Sequence, residues 1–241
     1  MKILSIGNSF SEDAQRYLYK LAKQDGTELW TENLYIGGCS LCSHFINVVE
    51  DHVAYDLHIN GEFTGTRTSI KQALMSEDWD VVTLQQSSQY SARYETYEPY
   101  IEEIANYVRQ YCPKAKIYIH QTWAYEEGSL RLAKIGRFAT EKDMFEAIRS
   151  ACEKSAALIH ADGILPSGKA MYLSTKMGID KIHRDTYHAS AGAGRYLLAL
   201  LWYKALTGKD ITNNTFNEFD VPVSDTERKV VIQAVNAAFQ D

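Results

Sequence analysis

The chain has 241 residues, of which 45% are hydrophobic and 23% charged, and its formal net charge is −6. This length and composition predict one globular domain with a sizeable hydrophobic core. The Lys and Arg residues are scattered along the chain, which argues against nucleic-acid binding because phosphate recognition needs clustered basic side chains.

The first residues and the longest apolar run near the C-terminus bear on compartment and membranes. The chain begins MKILSIG, and neither a long apolar region nor a small-residue cleavage site follows. This pattern is not a signal peptide and predicts a cytoplasmic protein. A secreted or periplasmic protein with its signal removed and a Met restored would begin in the same way, so that alternative stays open. Leu197–Trp202 is too short to cross a bilayer, and we expect no membrane association.

Strands and helices alternate along the chain. Short apolar runs predict five strands, at Lys2–Ile6, Leu29–Ile36, Asp80–Leu84, Lys116–His120 and Ala157–His160. Helical spacing of apolar residues predicts helices at Glu12–Gln24, Ser40–Val53, Ser69–Met75, Tyr97–Tyr111, Lys142–Lys154, Ser190–Leu206 and Ser224–Phe239. Residues of the type that cap helices precede or begin three of them, namely Ser11, Thr140 and Ser224.

One segment has an alternating residue pattern that differs from the rest of the chain. Tyr55–Thr64 alternates around Asn60-Gly61, a pair that favours a tight turn because both turn positions need a positive φ. This segment predicts a β-hairpin inserted at about residues 55–65. The whole pattern predicts a single domain over residues 1–241, a three-layer α/β/α sandwich with a mainly parallel five-stranded sheet plus the hairpin. Ligands of such sheets bind beyond the carboxyl ends of the strands.

Ser9 lies at that edge, in the segment Gly7-Asn8-Ser9-Phe10-Ser11 between the first strand and the first helix. A serine at this position is a candidate nucleophile, because backbone N–H groups near a helix start stabilise a developing oxyanion. The alternative is a Ser/Asn-rich turn with a capping serine. The segment is neither a dinucleotide fingerprint, since GxGxxG is absent, nor a P-loop.

A second motif, Asp185-Thr186-Tyr187-His188, precedes the last core helix. An Asp and a His three residues apart in one loop can serve one serine, with the imidazole as general base and the carboxylate fixing its tautomer. Ser9 is the available partner, which gives the chain order Ser, Asp, His. The alternative is a purely structural role for the pair.

Two further segments follow predicted strands. Gly37-Gly38 comes after the second strand and offers free N–H groups for an oxyanion hole, or forms a plain strand-ending turn. Gln85-Gln86-Ser87-Ser88-Gln89 comes after the third strand, where a Gln side chain can donate to an oxyanion, or where the segment is an ordinary polar loop.

Cysteine and histidine spacing gives little support to a metal site. Cys39 and Cys42 form a single CxxC, and His44, His52 and His58 follow it. A zinc site needs about four ligands, and neither a second CxxC nor an HxxxH pair supplies the others. We expect structural cysteines, no metal and no organic cofactor, with a redox or metal role as the minor alternative.

Taken together, the four motifs resemble the SGNH (GDSL-like) hydrolase superfamily. That pattern has a Ser block at the start, a Gly block after the second strand, an Asn block after the third and a DxxH block near the end. The resemblance runs from Ile3 to about Trp202. The GNSFS start, the LQQSS segment and the HRDTYHAS…GAGRYL ending are similar to a poorly characterised bacterial branch, common in gut Bacteroides-like organisms.

The resemblance implies a flavodoxin-like fold and a role for each matching residue. Ser9 corresponds to the nucleophile and an oxyanion donor, Gly38 or Gly37 to the glycine donor, His188 to the general base and Asp185 to its orienting acid. Asn8 stands where the usual GDS has Asp. The usual GxND block is missing, and Gln86 is the predicted substitute donor, with Gln85 and Gln89 next.

These observations predict a serine esterase that acts on a small acyl ester, with the resemblance implying acetyl on a carbohydrate. Trp123 and His120 end the fourth strand and are predicted to line the substrate site, since aromatic rings stack on sugars; a packed Trp is the alternative. One competing hypothesis is a catalytically inactive carbohydrate-binding or scaffold protein on the same fold, favoured by the missing GxND block. A nucleotide-binding α/β protein is the other, and the absent glycine fingerprint argues against it.

Overall fold

The sheet of the protein has more strands than the sequence predicts. A computed structural model describes residues 1–240, so Asp241, the end of the predicted domain, lies outside the described residues. The strands within this range are β1 (Lys2–Gly7), β2 (Trp30–Tyr35), β3 (Tyr55–Ile59), β4 (Glu62–Thr68), β5 (Val81–Leu84), β6 (Lys116–His120) and β7 (Gly163–Leu165). They form one sheet in the order β4-β3-β2-β1-β5-β6-β7.

Strand direction explains the difference from the predicted five. β2, β1, β5, β6 and β7 pair in parallel, whereas β3 and β4 are antiparallel additions next to β2. The predicted α/β sandwich with a mainly parallel sheet is confirmed. The hairpin is part of the same sheet rather than a separate insertion, because β3 pairs with β2 along its length, and the sheet therefore has seven strands.

Helices cover both faces of the sheet. Within residues 1–240 they are α1 (Ser9–Gln15), α2 (Leu18–Gln24), α3 (Leu41–Val49), α4 (Ile70–Ser76), α5 (Tyr100–Tyr111), α6 (Leu130–Ile135), α7 (Glu141–Leu158), α8 (Ser167–Lys176), α9 (Ala193–Thr207) and α10 (Asp225–Ala238). Alternate side chains of β1 enter two cores: Ile3 packs with α1, α2, α9 and α10, and Leu4 packs with α4, α5 and α7. None of these helices is both long enough and apolar enough to span a membrane.

Two predicted elements are wrong in part, and two observed helices were not predicted. The predicted strand Ala157–His160 is instead the end of α7 and a turn, in which His160 has φ 49°, and the strand follows at β7. The apolar run there is divided between the last turn of α7 and the turn after it, and only Ile159 is buried; periodicity does not separate such a run from a short strand. The single helix predicted at Glu12–Gln24 is divided into α1 and α2, and α6 and α8 were not predicted.

The predicted turn of the hairpin is present. Asn60 and Gly61 have φ values of 52° and 82°, the left-handed region that the Asn-Gly pair accommodates. Gly61 also lies against the first helix pair, since an added Cβ would sit 2.6 Å from the carbonyl oxygen of Arg16. The hairpin therefore contacts the chain segment that follows α1.

Candidate active site

The turn between β1 and α1 holds Ser9 at the carboxyl edge of the sheet. Asn8, rather than the predicted Ser11, is the N-cap of α1: its Oδ1 accepts the Phe10 N–H at 3.0 Å. The Ser11 hydroxyl completes the cap by accepting the Asn8 N–H at 3.1 Å. Gly7 is required before this turn, because an added Cβ would lie 2.1 Å from Ser11 Oγ. The sharp turn leaves the side chain of Ser9 half-buried and facing the cleft.

The structure brings Ser9, His188 and Asp185 together. Ser9 Oγ lies 2.9 Å from His188 Nε2, although 179 residues separate them in the chain. His188 Nδ1 lies 2.7 Å from Asp185 Oδ2, and the other carboxylate oxygen accepts the His188 backbone N–H at 2.9 Å. Burial favours the neutral acid of Asp185, but its hydrogen bonds with His188 outweigh that effect and lower the pKa of the carboxyl. An ionised Asp185 fixes the tautomer in which Nδ1 is protonated and Nε2 accepts from Ser9.

A buried ionic contact fixes the loop that carries Asp185 and His188. Asp13, one turn after Ser9 on α1, is fully buried. Both of its oxygens accept hydrogen bonds from Nη1 of Arg184, at 2.8 and 2.9 Å. Its Oδ1 also accepts from Nε of Arg195 at 2.8 Å. The helix that begins at Ser9 and the loop before His188 are thus joined through charge-assisted hydrogen bonds.

Two residues beside the Ser9 hydroxyl have backbone N–H groups that are available as donors. Gly38 has φ 66°, a conformation that favours glycine, and it lines the same cleft as Ser9. Within residues 1–240, neither the Ser9 N–H nor the Gly38 N–H donates to a protein acceptor. An oxygen anion bound between them would therefore meet two unpaired donors.

Gln86, the predicted substitute for the family's Asn donor, is not available to a ligand. Its side chain is 2% exposed. Its Oε1 accepts the Leu41 and Ser87 N–H groups, and its Nε2 donates to the carbonyl and hydroxyl oxygens of Thr96. This amide holds three backbone segments together, which corrects the prediction of an oxyanion donor at Gln86.

Gln85 is engaged in the same way. Its Nε2 donates to Asn8 Oδ1 at 2.7 Å, and its Oε1 lies 2.6 Å from His120 Nδ1. The other ring nitrogen of His120 lies 3.0 Å from Ser167 Oγ, and the ring is 1% exposed. His120 therefore supports the turn that carries Ser9 from inside the protein. The prediction that His120 lines the substrate site is wrong.

Trp123 is also placed differently from its prediction. The ring is 1% exposed, stacks on Phe10 with centroids 4.2 Å apart, and donates from Nε1 to the carbonyl oxygen of Tyr187 at 2.7 Å. A sugar cannot reach its face. The predicted substrate-lining Trp is instead the packed Trp of the alternative, and it supports the segment before His188.

A small cleft of about 190 Å³ opens at Ser9. We call it the Ser9 cleft, and it is lined by Asn8, Ser9, Phe10, Tyr35, Gly37, Gly38, Ser88, Tyr187 and His188. Sequence reasoning missed Tyr35, Ser88 and Tyr187 as lining residues. Ser88 and Tyr187 belong to predicted motifs, and Tyr35 ends β2 two positions before Gly37, so position beside the strand ends was the signal that could have found them.

The comparisons with known proteins agree on the fold. A family model described as a domain of unknown function, DUF4886, matches residues 2–240. The crystal structure of a DUF4886 family protein from Bacteroides uniformis is 33% identical, with a TM-score of 0.92, and the match covers 100% of this chain and 95% of the other. None of the curated proteins matches the chain.

More distant structures share the architecture alone. A candidate SGNH hydrolase from Slackia heliotrinireducens is 24% identical with a TM-score of 0.63, covering 86% of this chain and 98% of the other. The psychrotrophic esterase EstA of a Pseudoalteromonas species is 11% identical with a TM-score of 0.55, covering 86% and 97%. The central sheet flanked by helices is therefore the fold of SGNH hydrolases and esterases.

Proposed function

The chain belongs to the DUF4886 family, and we propose that it is a serine hydrolase of the SGNH type that cleaves small acyl esters. The observation that carries the proposal is the hydrogen-bonded series from Ser9 Oγ through the His188 ring to the Asp185 carboxylate. Three side chains in this order constitute the machinery of nucleophilic acyl transfer. The likeness of the fold to hydrolases adds support, but fold alone does not determine function.

In the first half-reaction, Ser9 Oγ attacks the ester carbonyl carbon while His188 Nε2 accepts the hydroxyl proton. Asp185 stabilises the imidazolium that forms. The carbonyl oxygen becomes an anion between the N–H groups of Ser9 and Gly38. The tetrahedral intermediate then collapses: the bond to the leaving oxygen breaks, and His188 returns its proton to the departing alcohol.

The second half-reaction restores the enzyme. His188 removes a proton from water as the water oxygen attacks the acyl carbon bound to Ser9 Oγ. Collapse of the second tetrahedral intermediate breaks the bond between that carbon and Ser9 Oγ, and the proton on His188 returns to Ser9. The products are a carboxylic acid and a free Ser9, and no oxidant or reductant is consumed.

The size of the Ser9 cleft favours a short acyl group, and we propose acetyl. About 190 Å³ is well below the roughly 300–1,000 Å³ of sites that enclose drug-sized ligands. Tyr35 and Tyr187 line the cleft, and aromatic rings of this kind can lie against a sugar. The proposed substrate is therefore an acetyl ester, with a carbohydrate as the alcohol.

The experiment is hydrolysis of p-nitrophenyl acetate by the wild type and Ser9→Ala, with Ser76→Ala as a control at an exposed serine on α4. We expect activity in the wild type and the control and none in Ser9→Ala. A fluorophosphonate should label the wild type at Ser9, as read by peptide mass spectrometry. Undiminished activity in Ser9→Ala would overturn the proposal. A wild type that neither hydrolyses the ester nor reacts with the phosphonate, yet binds acetylated oligosaccharides, would favour the inactive carbohydrate-binding alternative.

A further inference from the structure

The segment after β5 has five consecutive polar side chains, and only the fourth of them, Ser88, lines the Ser9 cleft. Gln85 and Gln86 are committed to other protein groups, as described above. The Ser87 hydroxyl is buried and has no hydrogen-bond partner within residues 1–240. Ser88 lines the cleft together with Ser9. The polar group that this segment offers to a ligand in the Ser9 cleft is therefore the hydroxyl of Ser88.

The hydrogen of the Ser88 hydroxyl is left free by its neighbour. Tyr125 donates its phenolic O–H to Ser88 Oγ at 3.1 Å. A serine hydroxyl has one hydrogen and two acceptor lone pairs, so this contact occupies a lone pair and not the hydrogen. Within residues 1–240 the Ser88 O–H has no protein acceptor. Accepting from Tyr125 also polarises the hydroxyl and makes it a stronger donor.

Tyr125 is held in place for this contact. Its side chain is 2% exposed, and its ring meets the ring of Tyr187 edge-on at 6.0 Å. The Met144 sulfur accepts its backbone N–H at 3.4 Å. Since burial and the Tyr187 ring restrict the phenol, the direction from which Ser88 accepts is restricted as well.

Strand order places three donors around one point. β2, β1 and β5 are neighbours in the sheet, and their carboxyl ends lead to Gly38, Ser9 and Ser88 respectively. All three residues line the Ser9 cleft. An oxygen anion beside Ser9 would therefore have the hydroxyl of Ser88 on the side opposite Gly38.

We propose that Ser88 is a third oxyanion donor in this enzyme, a hydroxyl in place of an amide, and that Tyr125 is the positioning residue that orients it. The inference rests on the proposed function. Ser88 donates a hydrogen bond and keeps its proton throughout, so Ser9 remains the nucleophile and His188 the base. The hydrogen bond strengthens as charge develops on the substrate oxygen, and its effect falls on kcat rather than on KM.

The experiment compares Ser88→Ala, Ser88→Asn, Tyr125→Phe and the double variant Ser88→Ala/Tyr125→Phe, with p-nitrophenyl acetate as the substrate. Loss of one oxyanion donor lowers kcat by roughly 10²–10³ in comparable enzymes, and we expect about 10² for Ser88→Ala with KM nearly unchanged. Ser88→Asn should retain most of the activity because it restores a donor. Tyr125→Phe should lower kcat less, by about tenfold, since the Ser88 hydroxyl remains but is unpolarised.

Two controls separate this role from a structural one. Ser87→Ala removes a neighbouring buried hydroxyl outside the cleft and should leave kcat unchanged. In a double-mutant cycle, Tyr125→Phe should have no further effect on kcat once Ser88 is Ala, because Tyr125 acts through that hydroxyl. Urea midpoints within error of the wild type confirm that each variant is folded.

The outcomes distinguish this inference from the proposed function. Ser9-dependent hydrolysis in the wild type, with Ser88→Ala at the wild-type kcat, overturns the inference and leaves the function standing. Equal kcat losses in Ser88→Asn and Ser88→Ala also overturn the donor role, and additive effects of Ser88→Ala and Tyr125→Phe overturn the role of Tyr125. Absence of Ser9-dependent hydrolysis and of phosphonate labelling at Ser9 overturns both proposals.

Discussion

The buried carboxylate of Asp13 accepts the backbone N–H of Ala189 at 3.2 Å. Asp13 lies four positions after Ser9, and Ala189 directly follows His188. With the two contacts to Arg184, this bond holds the base-bearing loop on both sides of His188 against the helix of the nucleophile. The distance between Ser9 Oγ and His188 Nε2 is therefore set by a carboxylate that lies outside the Ser9 cleft.

Replacing Asp13 by Asn should impair both stability and hydrolysis. The change removes the charge that compensates two arginines, Arg184 and Arg195, and breaking a buried ionic network of this kind costs about 3 kcal/mol. The loop should also lose its fixed position relative to Ser9, so we expect kcat to fall by about tenfold or more. Urea unfolding and ester hydrolysis on the same preparation measure both effects.

Asp220→Asn is the matched control. Asp220 pairs with Arg195 at 2.9 Å and with Arg16 at 2.8 Å, at the partly exposed rim of the same network, and it does not contact the base-bearing loop. Its loss should cost about 1 kcal/mol and leave kcat near the wild-type value. If Asp13→Asn affected stability and kcat no more than Asp220→Asn does, Asp13 would not be the group that holds the base-bearing loop against α1.

Asp185→Asn should lower kcat by roughly 10³–10⁴ with little change in KM. The amide can still accept the His188 backbone N–H but presents an NH₂ group to Nδ1, which selects the wrong tautomer. Because the pKa of Asp185 lies below its usual value, the wild-type carboxylate is already ionised at neutral pH, and raising the pH should not close the gap. Asp180→Asn, at an exposed carboxylate five residues earlier, is the control and should retain full activity. A variant that recovers at alkaline pH would contradict the tautomer argument.

The sequence predicts the positions of the site residues better than it predicts the directions of the side chains around them. Ser9, Gly38, Asp185 and His188 follow or precede regular elements, and strand order alone brings such positions to one edge of the sheet. The same reasoning predicts Asn60-Gly61 as the hairpin turn. These features depend on local pattern and on general rules of sheet topology, both of which are present in a single sequence.

Side-chain direction is what the sequence does not specify. Gln86 and Ser88 are two positions apart in one segment, yet the amide points into the protein and the hydroxyl reaches the cleft. Trp123 follows a strand at the correct edge but is packed under Phe10. Irregular backbone after a strand has no fixed period, so pattern cannot assign inward and outward faces there as it does within a strand.

The Ser9 cleft should favour short acyl chains. We expect kcat/KM to be higher for p-nitrophenyl acetate than for the octanoate by at least about tenfold, since an overlong chain exceeds the small volume of the cleft. Tyr35→Ala should reduce this ratio severalfold by opening one wall. Phe63→Ala, an exposed ring on the neighbouring hairpin that does not line the cleft, should not change it. A preference for octanoate in the wild type would contradict the proposed acyl size.

The free energy of unfolding should fall as the pH drops below about 6.5, the ordinary pKa of histidine. Burial lowers the pKa of His44 and His120 to about 3 and that of His183 to about 4. The unfolded chain binds protons at these residues below about pH 6.5, whereas the folded protein does not until the pH approaches 3 to 4. Their contribution is therefore complete above pH 6.5 and is lost toward the folded pKa values, by up to about 1.4 kcal/mol per pH unit for each histidine.

A variant isolates this effect from other titrations. Burial raises the pKa of Glu12, Glu32 and Glu141, which gives the opposite slope at acidic pH. Relative to the wild type, His44→Gln should reduce the pH slope of the unfolding free energy near pH 5 by up to about 1.4 kcal/mol per unit, whatever its absolute stability. Equal slopes in His44→Gln and the wild type would contradict the assignment.

Two glycines of the hairpin offer a direct test of its contact with α1. Gly61 and Gly65 both have positive φ, 82° and 79°, so alanine is strained at either position by about 1 kcal/mol. An added Cβ at Gly61 meets Arg16 O at 2.6 Å, whereas nothing lies within 4 Å of one at Gly65. We therefore expect Gly61→Ala to be less stable than Gly65→Ala by about 1–3 kcal/mol in urea unfolding.

Because Arg16 directly follows α1, the displacement of Arg16 should also lower kcat in Gly61→Ala and not in Gly65→Ala. Equal stabilities would show that the hairpin moves freely relative to α1 and that its contact there does not position Ser9.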